Sequence, residues 1–189
     1  GIASNSLDAA LETELASMHN LVPLAKVLGF NAIEAYVRWR LIEPEQEGEF
    51  DFSYYDALVA KLQEHDMKWY PLLVVGSAYA LPDWFIDTED NVRMVCLEHG
   101  KSNLIQSIWA PSHKRHVTRV LNAFGAHYEP TNTLLGVRLG PSGNYGESQY
   151  PAGGNWASAE GAMHIHIGLW SGDAYALADF QQKMQEKYG

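Results

Sequence analysis

The residue with the clearest potential for chemistry is Glu147, in the segment LGPSGNYGESQYP at residues 139 to 151. The segment has three glycines and two prolines, and the run LLGVRLG before it is typical of a buried strand. A carboxyl group on such a polar, glycine-hinged loop can exchange a proton with a bound ligand. The alternative is that Glu147 is an ordinary solvated loop carboxylate, and the residue types leave both interpretations open.

Four large aromatic side chains lie in or beside predicted loops at strand ends: Trp39, Tyr79, Trp84 and Trp170. Aromatic planes stack on the apolar C–H faces of sugar rings, although each ring could instead pack beneath a loop. As a group they favour a saccharide over a phosphorylated ligand. The segment GPSGNYG also lacks the Lys-Ser/Thr ending of a phosphate-binding loop, and its proline removes an amide donor.

Composition excludes several partner and cofactor classes. The chain has 189 residues, 47% of them hydrophobic, and a formal charge of 13 − 23 = −10, which repels nucleic acid. Cys96 is the single cysteine, so no internal disulfide is possible. The paired histidines, His113 with His116 and His164 with His166, lack a third ligand at convincing spacing, so we predict neither metal nor cofactor. No apolar run reaches the roughly 20 residues of a membrane span, and no compartment is assigned.

Hydrophobic periodicity predicts alternating helices and strands. Three strands are predicted, in NAIEAYVRW, in KWYPLLVVG and in LLGVRLG. The predicted helices run from Leu7 to Met18, from Val22 to Leu28 up to Gly29, over FDFSYYDALVAKLQEHDM with Ser53 as its cap, over HKRHVTRVLNAFGAHY, and over AYALADFQQKMQEKY with Asp173 as its cap. Such alternation predicts an α/β fold with parallel strands joined by right-handed crossovers.

The long connections all follow strands, at residues 38 to 52, 77 to 112 and 140 to 172, whereas the helix-to-strand connections are short. In parallel α/β folds the ligand site lies at the carboxyl ends of the strands, so this asymmetry puts Glu147 on the functional face. Glu34 lies on the polar face of its predicted strand, and Arg138 lies on the face of its own strand opposite to that of its two neighbours. We expect them to form an ion pair inside a barrel, with a structural role.

The segment LGFNAIEAYVRWRLIEPEQEGEFDFSYYDALVAKL, followed by KWYPLLVVG, resembles the second and third units of (β/α)8 glycoside hydrolases of the β-galactosidase kind. In those enzymes a Trp closes the second strand, a Glu-Pro pair follows it, and a G-x-F-D-F-S segment opens the helix. Trp39, Glu43-Pro44 and residues 48 to 53 carry the match.

The later part resembles the β-amylases, whose fourth strand runs into GPAGE and then reaches a Tyr-Pro pair and a Trp. Here residues 140 to 144 read GPSGN and lead to Tyr150-Pro151 and Trp156, and LPDWFID also resembles a β-amylase segment. Asn144 stands where that pattern has its catalytic Glu. In the β-galactosidase-like families the acid/base Glu follows an Asn and precedes Tyr-Gly, and Asn144-Tyr145-Gly146-Glu147 has these residue types in another order.

The resemblance implies a partial (β/α)8 TIM barrel of about half size, with parallel strands and long loops at their carboxyl ends, in one domain over residues 1 to 189. It also implies a glycoside hydrolase that acts on a β-linked or α-glucan oligosaccharide or polysaccharide, with Glu147 as general acid/base. Its expected substrate-binding residues are Trp39, Glu43, Tyr79, Trp84, Asn144, Tyr145 and Trp170. The alternative is a non-catalytic carbohydrate-binding or scaffold fragment of a longer glycosidase.

Three strands are fewer than the eight of a whole barrel, and they match its second, third and fourth strands. A three-stranded parallel sheet exposes two edges and an apolar face. We therefore expect a homo-oligomer or part of a longer chain. If the chain acts alone, Glu34, Glu43, Asp83 or a carboxylate of a neighbouring subunit must serve as the second catalytic carboxylate. Residues 140 to 172 are expected to place Glu147 in a cleft lined by at least two of Trp39, Tyr79, Trp84, Tyr145 and Trp170.

Overall fold

The structure is a computed structural model that describes residues 7–98, 100–143 and 169–189. Its centre is a three-stranded parallel sheet in the order β1-β2-β5, formed by Ala32–Arg38, Lys68–Val74 and Arg138–Gly140. These strands correspond to the three predicted ones, so the parallel α/β arrangement is confirmed. Parallel pairing follows from the crossovers between them, because each strand must return to the same end of the sheet.

Helices precede, connect and follow the strands of this sheet. The long ones are α1 at Leu7–Val27, α3 at Ser53–Glu64, α5 at Pro111–Tyr128 and α6 at Ala174–Tyr188. The one-turn helices α2 and α4 span Trp39–Ile42 and Asp83–Ile86, and 3₁₀ turns lie at Ala78–Ala80 and Glu129–Thr131. No described helix is long and apolar enough to cross a membrane.

Two details of the predicted helices are wrong. The first two predicted helices form one, α1, which continues through Pro23 although a proline in a helix interior cannot donate a backbone hydrogen bond. Its end is as expected, since Gly29 has a left-handed φ of 87° and the amide of Phe30 donates to the carbonyl of Ala25. Ser53 does not cap α3. It is the first helical residue, and its amide donates to the carboxylate of Asp51 at 2.8 Å.

The core lies between the sheet and the helices. Alternate residues of β1 and β2 bury one face, which includes Val37, Trp69 and Leu73. The hydroxyl of Tyr55, from α3, accepts from the amide of Arg38 and donates to the carbonyl of Tyr36, tying helix to strand. The core members from α5 are Val120, Phe124 and Tyr128, and the remaining large ones are Trp39, Ile42, Tyr55, Leu62 and Phe85.

The opposite face of the sheet, which we call the inner face, has partly exposed polar side chains beside the buried Leu72 and Val74. Register aligns Glu34 with Tyr70, and Tyr36 with Leu72 and Arg138. The carboxylate of Glu34 accepts from Nη1 of Arg138 at 2.7 Å, which confirms the predicted pair. Both side chains are more than two-fifths exposed, at 43% and 42%, so the pair is half-solvated rather than enclosed.

The connection between residues 77 and 112 was expected to be a loop without strands, but it contains an antiparallel hairpin. Its strands are β3 at Arg93–Val95 and β4 at Ser102–Gln106. A small second core holds it together, made of Met94, Cys96, Ile105 and Trp170. Because β3 has three residues with an irregular register, alternation in the sequence gives little sign of it.

Two sets of exposed apolar side chains flank the sheet. The β1-side set comprises Leu21, Leu24, Val27, Leu28 and Phe30, and the β5-side set comprises Leu135, Val137 and Leu139. On α6, the predicted stripe divides: Ala176 is buried, while Phe180 and Met184 are exposed. Within the described residues β1 and β5 each pair only with β2, so both are edge strands. Exposed apolar surface at such edges is typical of a contact surface.

Candidate active site

The loops after β2 and β5 meet at Gly76, at the carboxyl ends of the strands. Pairing extends beyond the strands, since the amide of Val75 donates to the carbonyl of Gly140 at 3.0 Å. A Cβ added at Gly76 would lie only 1.7 Å from the carbonyl oxygen of Pro141. The close approach of these two backbones therefore requires glycine at position 76.

His113 fixes the start of the loop that leads to Glu147. From the first turn of α5, its Nε2 lies 2.7 Å from the carbonyl oxygen of Pro141. Burial lowers the pKa of His113, an effect that its bond to Pro141 partly opposes. A neutral imidazole that donates from Nε2 fits this environment. Pro141 precedes Glu147 by six residues, so one end of that loop is anchored at the strand carboxyl ends.

Three polar side chains around Gly76 are buried and have no hydrogen-bond partner among the described residues, and we call them the Gln106 cluster: Ser77, Gln106 and Ser142. Their residues are 0%, 1% and 6% exposed. The hydroxyls of both serines and both amide atoms of Gln106 have no partner in the part of the chain that the structure describes. The backbone amide of Gln106 donates to the carbonyl of Gly76 at 3.3 Å, which ties β4 to the same point.

A second buried polar group, the Glu43 cluster, consists of Trp39, Glu43, Gly48 and Arg119. Nε1 of Trp39 donates to Oε2 of Glu43 at 2.5 Å, and Nη2 of Arg119 donates to the same oxygen at 2.8 Å. Oε1 accepts from the amide of Gly48 and from Nη1 of Arg119. Every carboxylate oxygen is thus bonded, and the residue is 0% exposed.

This cluster corrects the roles expected of Trp39 and Glu43. Both are fully buried and bonded to each other, so neither presents a free face or oxygen to a sugar in this structure. Trp170 is 2% exposed in the hairpin core and is likewise enclosed. The two tryptophans are enclosed because a large aromatic ring contributes most to stability when it is buried. Glu43 is enclosed because Arg119 supplies a counter-charge and hydrogen bonds to its carboxylate.

Trp84 and Tyr79 are the predicted aromatic residues that remain partly exposed. Nε1 of Trp84 donates to the backbone carbonyl of Glu43 at 2.9 Å, and its ring meets Trp39 edge-on at 5.8 Å. Tyr79 packs on Leu72 and Val74 beyond the end of β2. Both rings lie beside the strand carboxyl ends with part of their surface open.

Asn144, Tyr145 and Glu147 lie outside the described residues, so their predicted roles stay predictions. The described end of the same connection is attached to the hairpin. The amide of Gly172 donates to the carbonyl of Val95 at 2.8 Å, and Oδ2 of Asp173 accepts from the hydroxyl of Ser107 at 2.9 Å. Asp173 also caps α6 as predicted, because its Oδ1 accepts from the amides of Tyr175 and Ala176.

Sequence reasoning missed several residues of this face. The Gln106 cluster had a partial signal in the sequence. Ser77 directly follows a glycine at the end of one predicted strand, and Ser142 directly follows a Gly-Pro pair at the end of another. Gln106 and His113 had none. Tyr36 and Tyr70 are 40% and 37% exposed on the inner face, and the alternation of β1 identifies the first. Among the described residues, no group of three or more His, Cys, Asp or Glu side chains could hold a metal ion.

Known proteins resemble this chain in sequence and in fold. A thermophilic beta-amylase from Thermoanaerobacterium thermosulfurigenes is 24% identical over 197 residues, which cover 88% of this chain and 35% of the relative. A beta-galactosidase from Xanthomonas manihotis is 37% identical over 60 residues, which cover 32% of this chain and 10% of the relative. This chain therefore spans about a third of the length of the first relative.

The crystal structure of the catalytic domain of beta-amylase from Paenibacillus polymyxa matches the fold with a TM-score of 0.76 at 21% identity. The match covers 93% of this chain and 44% of that one. The fold is thus that of part of a (β/α)8 barrel, as predicted. A family model described as beta-galactosidase, of the glycoside hydrolase 42 type, matches residues 13–146. Because that match covers more than half of the chain, the chain belongs to this beta-galactosidase family of glycoside hydrolases.

Proposed function

We propose that this chain contributes part of a glycosidase active site, with Glu147 as its general acid/base. The observation that supports the proposal best is the anchoring of Pro141 by His113 and Gly76 at the strand carboxyl ends, six residues before Glu147. In a member of a glycoside hydrolase family, this is the face that carries substrate. A loop fixed at its origin can hold a carboxyl group within reach of a glycosidic oxygen.

The reaction requires a carboxylic acid that protonates the leaving oxygen and a second carboxylate that acts as nucleophile or activates water. Of the candidates within the chain, Glu43 is neutralised by Arg119 and fully buried, and Asp83 is exposed and paired with Arg40 at 3.1 Å. Glu34 is half-exposed on the inner face. We propose Glu34, or a carboxylate from a further barrel unit or a neighbouring subunit, as the second group.

Tyr79, Trp84, Asn144 and Tyr145 remain proposed substrate contacts. The partly exposed side chains of Tyr79 and Trp84 support stacking against a sugar. The substrate class is a β-linked saccharide or an α-glucan, since one relative is named a beta-galactosidase and another a beta-amylase. The proposal requires no cofactor.

Glu147→Gln tests the acid/base role. Loss of the proton donor should lower turnover of oligosaccharides about 10²- to 10⁴-fold while the fold is retained. Aryl glycosides with good leaving groups should lose less, because they need less protonation. Glu186→Gln is the matched control: Glu186 is an exposed residue of α6 whose Oε1 accepts from Gln182. Equal activity of Glu147→Gln and the unchanged protein would eliminate the proposed acid.

The second candidate function is a carbohydrate-binding or scaffold piece of a longer glycosidase. It is favoured by the chain's extent, 35% of one relative and 44% of the solved catalytic domain. Saccharide binding without turnover in the unchanged protein would select this function over catalysis.

We further propose that residues 1–189 act as one partial-barrel domain, whose exposed edges are covered by further barrel units or by a second copy. The β1-side and β5-side apolar sets support this proposal. Sedimentation at micromolar concentration checks the second-copy form, which predicts a dimer or larger species that Leu24→Asp, in the β1-side set, shifts towards monomer. A monomer over the whole concentration range would exclude self-association.

A further inference from the structure

The Gln106 cluster is unusual because its side-chain polar atoms are buried and have no partner in the described part of the chain. Ser77, Gln106 and Ser142 are at most 6% exposed, and four of their side-chain polar atoms make no hydrogen bond within the described residues. Buried polar groups in folded proteins are nearly always bonded, because leaving one unbonded costs free energy. Four such atoms in one place therefore need an explanation.

Their position provides one. The backbone carbonyl of Gly76 accepts from the amide of Gln106, and Gly76 itself lies against the carbonyl of Pro141. Ser77 and Ser142 follow Gly76 and Pro141 directly. The backbone groups here are in use, since the carbonyl of Ser77 accepts from the amide of Ala80 at 2.9 Å. The unmet hydrogen-bonding capacity thus belongs to side chains at the carboxyl ends of β2 and β5.

The chemistry of these side chains indicates which class of ligand they can bind. The cluster has two hydroxyls, which both donate and accept, and a carboxamide with an acceptor oxygen and a donor nitrogen. It includes no charged side chain, so an anionic group would find no counter-charge there. Sugar hydroxyl groups are neutral and also donate and accept, and adjacent hydroxyls can bond both ends of one carboxamide.

We propose that Ser77, Gln106 and Ser142 form a subsite that binds hydroxyl groups of a saccharide, with the Gln106 carboxamide as its specificity-determining group. This inference rests on the proposed function, because it names how the same face recognises its sugar. A shielded site built for hydroxyl groups rejects an analogue that lacks one, since its own polar groups would then stay unbonded.

Gln106→Leu provides the test, because it removes both amide atoms and nearly preserves shape. In the sugar-free protein it removes unbonded polar atoms, so Tm should be unchanged or raised by a few degrees. Binding of lactose or maltotetraose, measured by calorimetry, should weaken about ten-fold. Ser77→Ala with Ser142→Ala should change both quantities in the same directions.

Gln63→Leu is the matched control, since the same side chain is bonded there. Nε2 of Gln63 donates to Oγ1 of Thr133 at 3.0 Å and to the carbonyl of Thr131. Its replacement should lower Tm slightly and leave sugar binding unchanged, which is the opposite signature. Unweakened sugar binding in Gln106→Leu overturns the subsite. A fall in Tm like that of a bonded glutamine also overturns it, because the amide then has a protein partner.

Failure of the subsite can be separated from failure of the proposed function. The calorimetry measures binding alone and is repeated in the Glu147→Gln protein. Turnover unaffected by Glu147→Gln removes the acid/base role, and weakened binding in Gln106→Leu still supports the subsite. If Glu147→Gln abolishes turnover while neither sugar binds the unchanged protein, only the subsite is overturned.

Discussion

The Glu43 cluster and the Gln106 cluster are both buried and polar, and both follow the end of a strand, yet they differ in how their polar atoms are satisfied. In the first, both carboxylate oxygens of Glu43 accept from Trp39, Gly48 and Arg119. In the second, Ser77, Gln106 and Ser142 lack side-chain partners among the described residues.

This difference distinguishes a cluster with a structural role, that of Glu43, from a candidate binding site, the Gln106 cluster. Both oxygens of the Glu43 carboxylate are already bonded, so this carboxylate holds one geometry and has no acceptor left for a ligand. Nε of Arg119 makes no hydrogen bond within the described residues, but it lies 3.4 Å from Oε1 of Glu47 as an ion pair. Because the Glu43 cluster fixes α2 against α5, it supports the loop after β1. Unsatisfied buried polar groups destabilise the protein without a ligand. A bound ligand that forms hydrogen bonds with them offsets this loss of stability. Burial alone therefore does not distinguish structural from binding residues at this face, whereas the partners of each polar atom do.

The largest expected effect is at the satisfied cluster. Glu43→Gln should lower the free energy of unfolding by about 3 to 5 kcal/mol, because it removes the fully buried carboxylate that pairs with Arg119 and leaves only the longer contact with the partly exposed Glu47 at 3.4 Å. Urea denaturation measures the loss. Glu34→Gln is the control, since Glu34 also pairs with an arginine, Arg138, but through one hydrogen bond and at 43% exposure, and it should cost about 1 kcal/mol or less. Similar losses of stability in both variants would contradict the structural role of the Glu43 cluster, because the Glu43 pair would then contribute no more than a surface pair.

The sequence predicts the elements whose signals are local. Alternation of Ile33, Ala35 and Val37 defines β1, and Gly29 marks the end of α1. The pair of Glu34 with Arg138 was also predictable, because strand alternation and barrel layering suffice to place both on one face.

The roles of the site residues were less predictable, because they depend on distant partners. Trp39 and Glu43 have the residue types of a sugar site, and only Arg119, 76 positions after Glu43, makes them a buried network. Trp170 is enclosed by a hairpin that has no clear alternation. Gln106 is not part of any sequence motif. It stands out only in the structure, where its buried amide group has no hydrogen-bond partner among the described residues.

The smallest expected effect is a pH dependence of the free energy of unfolding, to which one histidine beside each cluster contributes. His113 adjoins the Gln106 cluster through Pro141, and His116 lies 5.3 Å from the Trp39 ring with its Nδ1 3.2 Å from Nη2 of Arg119. Burial lowers the pKa of both. At His116, Arg115 and Arg119 lower it further, while the bond to Asp90 and the charge of Glu47 raise it.

Because the folded pKa of each histidine is below the unfolded value of 6.5, the unfolded chain binds more protons just below that pH. Stability is therefore complete above pH 6.5 and falls as the pH drops towards the folded pKa, by up to about 1.4 kcal/mol per pH unit for each histidine. Urea denaturation between pH 7.5 and 5.5 measures this slope, and His113→Gln and His116→Gln should each remove one histidine's share. The difference in slope between each variant and the unchanged protein then measures the contribution of the replaced histidine and its contacts. A variant that keeps the full slope would show that its histidine has the same pKa in the folded and the unfolded chain, which would contradict the expectation that burial lowers the pKa of that imidazole.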